Sequence, residues 1–140
     1  MPNVNVLTLM ILCGLAVHSY AASPKLSVDI SKLPPPAKKA DITYGTDIKP
    51  ILDASCVKCH GEEKPKAKLR LDSLEGALKG GDGGKSIKPG NSAASPLVHS
   101  IAYLGDPDYH MPPPGNKAGI KALTKEQIAL IRAWIDQGAK

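Results

Sequence analysis

Phenylalanine is absent from this 140-residue chain, and rings are scarce throughout, with one Trp and four Tyr. Aromatic side chains usually supply much of a small core's bulk. Here the bulk must come from aliphatic residues or from a large apolar group that is not an amino acid. Long apolar runs are also missing. VLTLMILCGLAV, residues 6 to 17, is only 12 residues long, short of the roughly 20 that cross a bilayer. No twin-arginine pair is present, and no Lys or Arg precedes the run. No internal repeat is visible, and few segments have strand character.

The short run is followed by HSYAAS, a pattern resembling a secretory signal with small residues Ser19 and Ala21 before the cut. Residues 1–21 are therefore expected to be a signal peptide, cleaved after Ala21 or, as second choice, after Ala22. Cys13, preceded by bulky Leu12, does not suit lipid attachment. Residues 1 to 22 hold no charged side chain, so the formal +5 stays with the exported chain. That chain, of about 118 residues, buries about two thirds of its unfolded surface. A periplasmic or otherwise exported location follows, with no stable membrane insertion after cleavage. Nucleic acid is not an expected partner for an exported chain this poor in aromatics.

Residues 22–41 form a Pro/Lys-rich lead-in in which Pro34, Pro35 and Pro36 forbid helix. It is either a tether or a strap. From residue 42 to 140 the signals are helical. Thr46 is a plausible N-cap for a helix through Ile48, Ile51 and Leu52, with Pro50 early enough to be tolerated. A short helix is expected near 72–78, stopped by Gly80 and Gly81. Another is expected after Ser95 and Pro96, ending by Gly105. The last helix is the best marked: Thr124 and Gln127 form a capping-box pair, Leu123 staples onto Ile128, and Gly138 stops it. Trp134 is expected in the core. The fold class is all-α, a small helical domain with long loops.

Export leaves Cys56 and Cys59 as the only cysteines, both inside CVKCH, residues 56 to 60. Two thiols three positions apart can each add across one vinyl group of a porphyrin, bringing the next His under the iron. Other uses fit less well. A structural zinc site needs four ligands, and adjacent Cys59 and His60 share one tetrahedron poorly, even with His99 or His110 added. A redox dithiol needs a βαβ setting, and a disulfide across so small a loop adds little. Covalent haem c is thus the expected cofactor, one per chain. Cys56 and Cys59 would form the thioethers and His60 the proximal ligand.

A low-spin carrier needs a second axial donor, usually Met or His. Met111, 51 residues after His60, lies in a proline-stiffened loop and is the first choice. Its neighbour His110 comes next and His99 third, though His99 falls on an apolar helix face that favours a structural role. Two other signals are weak. GGDGGKS, residues 80 to 86, lacks the first Gly of a phosphate loop, which would fall at Lys79, and reads as a turn-rich loop. KPKAKLR, residues 64 to 70, is a solvated basic face that could also steer an acidic redox partner.

Taken together, TDIKPILDASCVKCHG, KLRLDSLEGALKGG, IKPGNSAASPLVHSI, HMPPP and LTKEQIALIRAWIDQGA resemble the cytochrome c domain of planctomycetes and verrucomicrobia, over about residues 42 to 139. The resemblance implies a class I-like fold, with a few helices wrapped around one covalently attached haem and the first and last helices crossing. It implies Cys56 and Cys59 as thioether residues, His60 as proximal ligand and Met111 as distal ligand. Tyr44 stands where that family would place Phe. The expected role is single-electron transfer between redox partner proteins. The alternatives are a haem-based redox or gas sensor and a dedicated haem subunit of a larger oxidoreductase complex. No catalytic residue is expected, since no nucleophile–base pair is present and a di-haem peroxidase needs a second haem motif.

Overall fold

A computed structural model describes residues 27–140. The expected signal peptide, residues 1–21, and the first residues of the lead-in lie outside this range. Among the described residues the structure is helical, with no strand and one isolated bridge between Gly81 and Gly84. The helices are α1 (Lys49–Ser55), α2 (Val57–His60), α3 (Leu74–Lys79), α4 (Pro96–Ile101) and α5 (Lys125–Asp136), joined by long loops and single 3₁₀ turns.

The first helix starts earlier than the sequence suggests. Thr43, not Thr46, is the cap, its hydroxyl accepting from Thr46 N at 3.3 Å. Residues Tyr44–Ile48 form one wide π-turn before α1. Pro50, just beyond this turn, has no N–H to give the Thr46 carbonyl. Lys49 N reaches back to Tyr44 O, one residue further than an α-helical turn requires. Likewise α3 starts at Leu74 because the Ser73 hydroxyl caps Gly76 N. Ser95 stands at the cap position of α4 without capping it. Its hydroxyl donates to Asn91 O and accepts from Lys88 N, both at 2.9 Å. The capping box at Thr124 and Gln127 is formed in both directions, with Leu123 and Ile128 buried beside it.

The core is aliphatic, built from Ile48, Leu52, Leu71, Ile87, Val98, Ile131 and Ile135 around a fully buried Trp134. Tyr44 meets Trp134 with ring centroids 6.0 Å apart, so the π-turn leading into α1 and the last helix pack together. Lys140 closes this contact, because its carbonyl oxygen accepts from both Tyr44 N (3.1 Å) and Trp134 Nε1 (2.9 Å).

The lead-in is a strap on α5. Leu33 is buried, and Ala37 N donates to Ala129 O at 2.9 Å. Arg132 donates to Pro34 O and, at 3.1 Å, to the Ser92 hydroxyl. Gln137 binds Lys39 O and Ile42 N from its two ends. The sequence leaves this choice open because the strap is held mainly by backbone groups.

Candidate haem site

Cys56 stands at the junction of α1 and α2, where the backbone bends out of helical geometry (φ −130°, ψ −41°). Its own carbonyl still accepts from Cys59 N (3.0 Å) and His60 N (2.9 Å), which keeps the five-residue motif compact. Both thiols are free. Cys56 is buried, and that burial, with Cys59 alongside, pushes its thiol up to about 12.

His60 is half-buried at the end of α2. Its Nδ1 lies 3.2 Å from Leu69 O. A carbonyl oxygen only accepts, so Nδ1 carries the proton and Nε2 keeps its lone pair. This is how a metal-binding imidazole is usually oriented. Burial holds the imidazolium below its usual range, against the opposing pull of the backbone carbonyls of Leu69 and Lys66. Leu71 N donates to His60 O at 2.7 Å, so residues 69 to 71 grip His60 at ring and backbone.

The glycine-rich loop supports that grip, which sequence reasoning missed. Asp82 N donates to Ala67 O at 2.8 Å, and Lys68 pairs with Asp82 at 3.0 Å. A Cβ on Gly81 would sit 2.3 Å from Ala67 O and 2.9 Å from Leu69 N. Only glycine lets this loop press against the segment that presents Leu69 O. The cluster of glycines was the available signal. What it signals is close backbone approach, in a turn-rich loop.

Cys56, Cys59, His60 and Met111 all line one cavity of about 520 Å³, with Leu69, Leu71, Leu97 and Ile101 in its wall. Met111 comes from the loop between α4 and α5. Its N–H donates to Ser100 O at 3.0 Å, and the Tyr103 hydroxyl donates to the next carbonyl, Pro112 O. Asn116 ties the following turn, bonding Pro113 O and both backbone groups of Ile120. The two alternative ligands are not among the residues lining the cavity. His110 stacks on Tyr103 at 4.9 Å, and His99 Nε2 is 2.7 Å from Ala93 O. Among the described residues, no three His, Cys, Asp or Glu side chains converge as a metal cluster.

Residues 56–115 match the family described as Planctomycete cytochrome C. The match supports a planctomycete-type cytochrome c domain over these residues. The matched stretch begins at the first thiol and ends beyond Met111, so it spans Cys56, Cys59, His60 and Met111. No curated protein and no solved structure matches the chain. For a cytochrome c domain the family implies haem c, iron and a haem-based electron carrier. The site passes a chemical test for that group. The cavity is mostly aliphatic, two unpaired thiols border it, and one imidazole offers a free Nε2. No described helix is long and apolar enough to cross a membrane.

Proposed function

We propose that this chain is an exported, single-haem c-type cytochrome that passes one electron at a time between protein partners. In this reading Cys56 and Cys59 hold the porphyrin by thioether bonds, His60 Nε2 is the proximal ligand and Met111 the distal one. Haem, when bound, supplies a one-electron iron couple. The protein's own part is to fix the imidazole tautomer through Leu69 O, to exclude water with an aliphatic wall, and to hold Met111 in a braced loop. One observation carries the proposal above the rest. Two free thiols, a correctly oriented imidazole and a thioether from a distant loop all border a single apolar cavity.

The partners are proposed to present acidic surfaces. Lys66, Lys117 and Tyr109 line the cavity and are exposed, Tyr109 at 67%. Neither lysine forms an ion pair among the described residues. A net charge of +5 favours the same kind of encounter. A periplasmic location is proposed from the N-terminal pattern and from the extracytoplasmic setting in which haem c is attached.

The test is mass spectrometry of the full chain, expressed with a working cytochrome-maturation system and then denatured. The mass of one haem should remain on the peptide that contains Cys56 and Cys59. A bare chain mass would remove the carrier assignment.

A further inference from the structure

Helix α4 ends on a residue that rarely ends a helix. Leu104 N donates to His99 O at 2.9 Å and Tyr103 N to Ser100 O at 3.2 Å. These paired bonds close a helix when the residue after its cap turns left-handed. That residue is Tyr103, with φ +56°. Glycine is the usual occupant, because a side chain there crowds the backbone. Gly105, the stop that the sequence offers, stands two positions later. A bulky ring kept in a costly conformation implies that its other contacts offset the cost.

Those contacts bracket Met111. The Tyr103 ring stacks on His110, with centroids 4.9 Å apart and planes 3° from parallel. Its hydroxyl donates to Pro112 O. One side chain thus holds the residue before Met111 and the residue after it. The helix end holds Met111 itself, since Ser100 O accepts from Met111 N at 3.0 Å as well as from Tyr103 N. His110 Nε2 is buried without a hydrogen-bond partner, so the stack, and not a bond from that nitrogen, keeps this ring in place. Tyr103 is not among the residues lining the cavity, so it acts only through the loop. We propose that Tyr103 is the positioning residue of Met111, holding both of its neighbours so that the thioether keeps the distal place against ligands from solution. This inference rests on the haem reading, with Met111 as distal ligand, and deepens it.

The experiment compares the haem-loaded full chain with its Tyr103→Gly and Tyr103→Phe variants. The ferric proteins are titrated with imidazole, which must displace Met111 to bind, and the sulfur-to-iron charge-transfer band is followed. Glycine suits the left-handed backbone and removes both side-chain contacts. A residue that serves only to end α4 would therefore be replaced well by glycine, and the band and imidazole affinity would match the parent. A positioning residue gives the opposite result. Tyr103→Gly should bind imidazole about tenfold more tightly, the effect of losing one ring stack and one hydrogen bond, and its band should weaken. Tyr103→Phe keeps the stack without the donor and should fall between Tyr103→Gly and the parent. Imidazole affinity in Tyr103→Gly equal to the parent's would overturn the proposal. If Tyr103→Gly fails to mature, Tyr103→Asn, which also tolerates this backbone, is read in its place with the same two meanings. A parent protein that carries haem but shows no charge-transfer band would defeat the Met111 assignment, and this proposal with it. A parent with the bare chain mass would defeat the haem reading itself, so the failures are told apart.

Discussion

At the scale of single residues, the side chains proposed to hold haem could be named from the sequence, because covalent and coordinate chemistry tolerates few residue types. Cys56, Cys59, His60 and Met111 could be named from type and spacing, and the structure sets all four around one cavity. Replacing Met111 by Ala should lower the midpoint potential and let carbon monoxide bind the ferrous protein, both read by optical titration. Tyr44 shows what spacing could not reveal. Its hydroxyl donates to Leu71 O at 3.1 Å, bracing the segment that grips His60. Tyr44→Phe strands that carbonyl and should cost about 1 kcal/mol, measured as a lower guanidinium midpoint. Burial, reinforced by the charges of Asp53 and Asp72, pushes the phenol from 10.0 up to about 12. The folded value is raised, so this contribution is complete below pH 10 and is lost as pH rises towards 12. The difference between the Tyr and Phe proteins should narrow over that alkaline window.

Among the elements, the last helix was read nearly to the residue, since a capping box, a staple and a terminal glycine are all local signals. The start of the first helix was misplaced by three positions. Pro50 acts on a carbonyl four residues back, and the outcome depends on how the π-turn packs against Trp134. The glycine loop was recognised as a turn, but its role depends on segment 67–69, which sequence reading does not bring to it. Gly81→Ala should therefore act at a distance. A Cβ 2.3 Å from Ala67 O displaces that segment and weakens the hold of Leu69 O on His60. Overpacking of this kind typically costs about 1–3 kcal/mol. The expected result is a lower melting temperature together with a shifted Soret or charge-transfer band. A change in melting alone would confine the effect of Gly81 to folding.

Over the whole molecule, the scarcity of rings has its counterpart in a cavity of about 520 Å³ within an aliphatic core. Composition could suggest an apolar guest, but only the packing locates it. The net charge of +5 is likewise a global property with a local outlet at Lys66 and Lys117. Electron transfer to an acidic partner should slow as ionic strength rises past the range where the screening length falls to about 10 Å. The double change Lys66→Glu and Lys117→Glu should flatten that dependence in stopped-flow measurements. An unchanged slope would move the docking face elsewhere. The backbone oxygen of Lys140 has a structural duty of its own, because the buried indole of Trp134 and the amide of Tyr44 both donate to it. A chain truncated before Lys140 therefore leaves two donors without their acceptor and should melt at a lower temperature than one that keeps this residue.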